Sequence, residues 1–289
     1  MHISCLIWLP TIVGMSLRKT SLRAFLIDDP VEKVSTVQTL WATHTHLTLR
    51  PNECLATMAG QAMPGRPALP RLVAAKQVPS RTPFTEAGLA SLLHAVCHIE
   101  FNAINLALDA VWRFPDMPEP YYTDWLSVAH EESQHFQMLH SHLNSLGYCY
   151  GDFDAHDGLW QMCERTSLDV IARMALVPRT LEARGLDATP IIQAKLHKVA
   201  TPAAKRAVEI LDIILRDEVG HVAIGNQWYR WLCMQRGLDP VALYAQLVQQ
   251  YDAPKHKPPF NHEARLRAGF TALELRYLAD ECAHSSGLP

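Results

Sequence analysis

The chain has 289 residues, a formal net charge of −3 at neutral pH, 48% hydrophobic side chains and only 13 glycines. That length and apolar content can bury a full core in one main domain with extensions, and the near-neutral charge leaves no broad basic footprint for nucleic acid. The seven cysteines (Cys5, Cys54, Cys97, Cys149, Cys163, Cys233, Cys282) form no Cys-x-x-Cys pair, which suits reduced thiols in the cytoplasm better than a disulfide framework or a zinc site.

Residues 3–15 are apolar, but the stretch is too short to span a bilayer, contains Pro10, and lacks a basic leader and a small-residue cleavage site. Neither a membrane nor a secretory reading is expected. Either this stretch packs on the protein, or translation begins at Met15 and residues 1–14 are an extension of the gene model. The Pro- and Gly-containing segment 63–83 reads as an extended arm. Residues 1–84 are therefore expected as an N-terminal arm, 85–250 as the main domain and 251–289 as a C-terminal segment.

Residues 92–113 carry helical periodicity, with Ala103, Ile104, Ala107, Leu108 and Val111 on one stripe and Glu100 leading into it. A break at 114–118 is followed by a second helix, 121–146, which contains Glu132-Ser-Gln-His135. A carboxylate and an imidazole three residues apart share one helix face and can be presented inward together. If the pair folds near Asp116, Glu100 lies 16 residues before the turn and Glu132 16 after it. Both then stand at one height, roughly 24 Å from the turn.

The phrase recurs 86 positions later as Glu218-Val-Gly-His221, in a helix opened by Thr201-Pro202 and running to Gln235. Its partner helix, 159–183, offers Glu164, Asp169 and Glu182. Counted from Ala200, Glu182 is 18 residues before and Glu218 is 18 after, whereas Glu164 would be out of register by about 27 Å. The sequence Gly185-Leu-Asp-Ala-Thr-Pro190 is expected to interrupt this helix, so the choice among the three acids stays open on spacing alone. Downstream, 254–260 reads as extended, and Asn261 as the N-cap of a last helix ending near Cys282.

Two Glu-x-x-His phrases with one lone Glu from each of two other helices form the ligand pattern of ferritin-like dimetal bundles. The segments 98–104, 129–135, 172–187 and 216–221 also resemble the bacterial ferritin-like family known as domain of unknown function 455, over roughly 81–283. The resemblance implies an all-α, ferritin-like four-helix bundle, here with an extended N-terminal arm and an additional C-terminal helix. It implies a di-iron carboxylate site with Glu100, Glu132, His135, Glu182, Glu218 and His221 as metal ligands. Glu132 and Glu218 would bridge, and Glu100 and Glu182 would be terminal. In similar bundles the acid before each motif Glu reaches the histidine of the other motif, so Asp217 would orient His135 and Glu131 would orient His221. Arg216 can pair with one of these acids.

Four carboxylates and two imidazoles form a hard, mostly oxygen shell that suits two iron ions, with Fe/Mn or Mn also accommodated. The expected function is a cytoplasmic non-haem dimetal oxidoreductase that activates O₂ or peroxide toward an unidentified small-molecule substrate. The alternative is ferroxidase-type iron handling with no organic substrate, and a third reading is a bundle with a vestigial site that acts through its surfaces. No membrane or nucleic-acid partner is expected; a homo-oligomer and the electron donor stay open. His94, His98, His130, His140 and Tyr229 read as packing or outer groups. Ala103, Ala107, Ala129, Phe136 and Met174 are the expected walls of a substrate pocket.

Overall fold

Helices α3 (Glu86–Arg113) and α4 (Glu119–Ser145) form the hairpin on which the rest of the molecule is laid. The Thr85 hydroxyl accepts from the Gly88 amide at 3.1 Å and caps the start of α3, an interaction worth about 1 kcal/mol. Pro115 disfavours helical backbone at Phe114, which is extended, and Asp116 takes a left-handed turn at φ 61°. The fold-back is therefore where the sequence places it. Helix α3 is long and apolar enough to cross a membrane by composition, yet 72% of its apolar window is buried within the protein.

The computed structural model describes residues 15–285 except 59 and 80, with side chains described as far as 280. The two alternatives for residues 1–14 lie outside the described residues. Among the described residues all regular structure is helical; the chain is an all-α protein.

The expected N-terminal arm is partly helical instead. Helices α1 (Leu17–Phe25) and α2 (Pro30–Thr43) pack on α3 and α4 respectively. Two buried cations fasten them. The Arg18 guanidinium donates to Val111 O at 3.2 Å, Trp112 O at 2.7 Å and Pro51 O at 2.9 Å, satisfying carbonyls left open at the end of α3. Lys33 on α2 donates to Phe25 O at 3.1 Å, Gly65 O at 2.9 Å and the Asn105 side chain.

Residues 159–183, expected as one helix, are three pieces: α5 (Gly158–Arg165), α6 (Val170–Leu176) and a π turn, Val177–Glu182. Asp169 is consumed as the N-cap of α6, accepting from the amides of Ile171 at 3.0 Å and Ala172 at 3.2 Å. Glu164 is exposed and accepts from the Trp160 indole at 2.9 Å. The π turn has a local cause. Pro178 has no N–H to give to the preceding turn, and Thr180 Oγ1 instead donates to Ala175 O at 2.8 Å.

The interruption expected at Gly185–Pro190 is absent: α7 runs without a break over Ala183–Val199. Pro190 leaves the carbonyl of Leu186 without its helical donor, and Asn261 Nδ2 supplies one from outside at 3.2 Å. A tertiary contact thus repairs the defect that the local sequence creates. Ala200, at φ 57°, ends α7, and Thr201 caps α8 (Pro202–Gln235), whose start at Pro202 and end at Gln235 match the expectation. Helices α7 and α8 pair along their length, and α8 also packs on α4 and α6.

Helix α9 (Pro240–Gln250) packs on α6 and α8. Asn261 caps the following helix as expected, accepting from Ala264 at 3.2 Å. The single last helix is instead divided into α10 (His262–Arg267) and α11 (Ala272–Ser285), because Gly269 adopts φ 87° between them.

Candidate metal centre

Glu100 comes from the middle of α3, Glu132 and His135 from α4, and Glu218 from α8. One ligand atom of each lies within 4.8 Å of the others, and all four residues are buried. Glu132 is the hub. Its Oε2 is 3.2 Å from His135 Nδ1 and its Oε1 is 2.9 Å from His221 Nδ1. Glu100 Oε2 approaches His135 Nδ1 at 3.4 Å, and Glu218 Oε1 approaches His221 Nδ1 at 3.8 Å. Both imidazoles therefore turn Nδ1 inward, toward one shared carboxylate.

Their outward nitrogens are held by acids. His135 Nε2 is 3.1 Å from Asp217 Oδ2, and His221 Nε2 is 2.7 Å from Glu131 Oε2. This is the crossed pairing expected from the sequence. Such an acceptor fixes ring orientation and leaves Nδ1 as the free lone pair. Arg216 grips Asp217 through Nε at 2.8 Å and Nη2 at 3.1 Å. Asp217 retains 20% of its side-chain exposure and Glu131 retains 39%, so the two orienting acids differ in how far water competes for them.

Glu182 ends the π turn and is buried, but it is not among the four residues of the compact group. Both of its carboxylate oxygens lack a hydrogen-bond partner. Glu218 Oε2, also buried, is likewise without one. Buried polar atoms are ordinarily satisfied, and each unsatisfied one costs about 1–3 kcal/mol. Two buried acids close enough for the charge of Glu218 to act on Glu182, with three oxygens between them lacking a donor, are an anomaly in a structural core and the expected condition of atoms that accept a cation.

The charges agree. Burial and repulsion from Glu132 push Glu100 well above the usual carboxylate range and raise Glu218 as well. Burial, then Glu218 and Glu132, do the same to Glu182. Burial opposes ionisation of Glu132 too, but His221 and His135 outweigh it and hold this one carboxyl well below its ordinary value. Burial also disfavours charge on the imidazoles, yet Asp217, Glu100 and Glu132 hold His135 well above its usual pKa, and Glu132 and Glu131 do so for His221. Without a cation, protons shared among these groups balance the acids.

The other histidines stand apart from this cluster. His98 Nδ1 meets Tyr150 Oη at 2.8 Å, and His94 Nε2 accepts from the Gly151 amide at 3.0 Å. Tyr229 donates its hydroxyl to Pro240 O at 2.6 Å, the satisfied core tyrosine expected of it. Ala103, Ala107, Ala129, Phe136 and Met174, expected around a substrate pocket, are packed into the core. An open groove of about 290 Å³ lies instead on the outer side of α8, beside Asp212, Arg216, Asn261 and Arg267. Sequence reasoning missed the π turn and what holds it, although Pro178 inside a helical pattern was its visible signal.

An all-helical fold with a buried centre of glutamates and histidines on α3, α4, α8 and the π turn defines the class of protein. The family model described as "Protein of unknown function (DUF455)" matches residues 26–276, and the chain belongs to that family. A Haemophilus influenzae protein named "Uncharacterized protein" is 52% identical to it over 219 residues, which cover 73% of this chain and 75% of that protein. No solved structure matches the chain.

Proposed function

We propose that the protein is a ferritin-like, non-haem dimetal carboxylate oxidoreductase that works in the cytoplasm on O₂ or peroxide and an unidentified small molecule. The observation that carries this reading is the placement of Glu132, whose two oxygens face two inward Nδ1 atoms at 2.9 and 3.2 Å while an acid holds each ring from behind. The donor set fits two hard divalent cations, iron or manganese, and contains no thiolate that would favour zinc or an iron–sulfur cluster.

Such a pair, when bound, supplies the electrons for reducing O₂ or peroxide. Everything else falls to the chain. Glu132 and Glu218 would hold both ions, Glu100 and His135 one, and Glu182 and His221 the other. Asp217 and Glu131 keep the imidazole N–H protons on Nε2 and so leave Nδ1 free to bind. Four carboxylates nearly cancel the charge of two divalent ions, which makes their burial tolerable. Ala103, Ala107, Ala129, Phe136 and Met174, expected to wall a substrate pocket, are themselves buried in the core.

A second reading, iron oxidation without an organic substrate, is favoured by the burial of all four residues of the compact group, since small reactants reach such a centre most readily. One set of measurements separates the readings. Protein from iron- and manganese-supplemented cultures is analysed for bound metal, then loaded anaerobically with ferrous iron and exposed to O₂ while its spectrum and the consumption of O₂ are followed. Tightly bound metal with an O₂-dependent absorption supports the dimetal reading, and its absence in both preparations would sink it. Release of all oxidised iron as ferric product, with O₂ uptake proportional to iron added, would favour iron handling.

A further inference from the structure

The two ends of the centre are not built alike. Glu100 sits in mid-α3 and His135 in mid-α4, where regular backbone bonding fixes them, and both belong to the compact group with Glu132 and Glu218. Glu182 sits on irregular backbone, outside that group. π turns are poor in intrinsic stability and persist where their surroundings hold them. Here the surroundings are the C-terminal helices. Arg179, fully inside the protein, donates to Asn226 Oδ1 on α8 at 2.6 Å and to Glu274 Oε1 on α11 at 2.8 Å. Its guanidinium also lies over the rings of Tyr229, Tyr244 and Phe270 at 5.2, 5.1 and 4.8 Å.

Thr180, the next residue, shares a 2.9 Å hydrogen bond with the hydroxyl of Tyr244 on α9. Gly225 of α8 lets Pro178 approach so closely that an added Cβ would stand 2.5 Å from the proline ring. The turn that carries Glu182 is therefore held by side chains of α8, α9 and α11. A void of only about 10 Å³ is left between Arg179, Tyr244, Phe270 and Glu274, at the threshold for a single water.

We propose that the two metal positions are unequal: the one at Glu100 and His135 is preformed and fills first, while the one at Glu182 and His221 is set by a clamp of α9 and α11 on the π turn, acting through Arg179 and Thr180. Arg179 and Thr180 are positioning residues, since neither is in the cluster. The inference rests on reading the cluster as a dimetal centre. Linkage makes it reciprocal: whatever factor the clamp adds to the affinity for the second ion, that ion returns to the docking of α9 and α11.

The experiment uses the full chain, titrated anaerobically with cobalt(II) as an optical probe, with hydrogen exchange of residues 240–250 and 272–285 followed at zero, one and two equivalents. Two resolved affinities are expected, with exchange in both helices slowing only at the second equivalent. In Thr180→Val and Glu274→Gln, the second affinity should fall by ~10–100-fold, as for other groups that orient ligands, while the first stays within about twofold. Unfolding melts of the metal-free variants identify any that have lost the fold. Two ions bound with equal affinity, or a second affinity and C-terminal exchange indifferent to these variants, would overturn the clamp while leaving the dimetal reading intact. If Thr180→Val and Glu274→Gln both fail to fold, the wild-type exchange profile decides: protection gained at the first equivalent, or at neither, overturns the clamp. No cobalt binding by the wild type defeats the dimetal reading and the clamp with it.

Discussion

The α3–α4 hairpin and the segment from α6 to α8 each contribute one Glu-x-x-His and one lone glutamate, but they hold them by different means. In the first, two long helices joined by a short turn fix the height of Glu100, Glu132 and His135 through their own backbone bonding. In the second, the partner of α8 is broken into α6, a π turn and α7, and its shape depends on residues that arrive late in the chain, Asn261, Tyr244 and Glu274. Near-symmetric sets of candidate ligands thus rest on unequal foundations, one local and one tertiary.

The largest effect should come from the hub, which serves both halves. Glu132→Ala should lower the affinity for both ions by well over ~100-fold, more than the loss of an orienting group costs, and elemental analysis should find little metal in the purified variant. Retention of one full equivalent would show that the two ions do not share this residue.

Glu182→Leu should separate the halves. Stoichiometry should fall from two ions to one, while the metal-free protein gains about 1–3 kcal/mol in urea unfolding, because a buried carboxyl with two orphaned oxygens is replaced by an apolar side chain. Loss of both ions, or a less stable metal-free protein, would count against the unequal foundations described above.

The orienting acids offer a finer contrast. Asp217→Ala should weaken metal binding by ~10–100-fold, whereas Glu131→Ala should cost less, because at 39% exposure water can replace it behind His221. Titration of both variants decides the order, and a larger loss at Glu131 would reverse the assignment.

The smallest effect concerns pH and the α3–α4 half alone. Burial pushes His94 down to about 4, and burial with the charge of His94 pushes His98 down to about 3, against an unfolded value near ~6.5. Between ~6.5 and about 4 the unfolded chain binds protons that the folded chain refuses, so these groups make stability fall as pH is lowered through that window. Urea midpoints of the metal-free protein at several pH values should show it. In His94→Gln, which keeps an acceptor for the Gly151 amide, the fall should be shallower; an unchanged slope would remove His94 from the account.

Much of the first half was legible because its determinants are local. Helical periodicity places Glu100 on an inward stripe, Pro115 and Asp116 fix the fold-back, and a rise of ~1.5 Å per residue turns equal offsets into equal heights. The crossed pairs of Asp217 with His135 and Glu131 with His221 follow once the two motif helices face each other. Segment 63–83 has no α-helix among its described residues, in keeping with the extended reading, but helices α1 and α2 upstream of it were missed, although Leu17, Leu22 and Phe25, and Val34, Val37 and Leu40, give them buried apolar faces beside Arg18 and Lys33.

The sequence by itself determined the helical class, the two Glu-x-x-His faces and the height of Glu100, since each depends on residues within a few turns of one another. Only the tertiary structure decided that α7 continues through Pro190 and that Glu182 is delivered by a π turn. The physical reason is the same in each case. A missing backbone donor or an irregular turn has no stable local solution, so its outcome belongs to whichever distant side chain satisfies it: Asn261 for the carbonyl of Leu186, and Arg179 with Glu274 for the turn that carries Glu182.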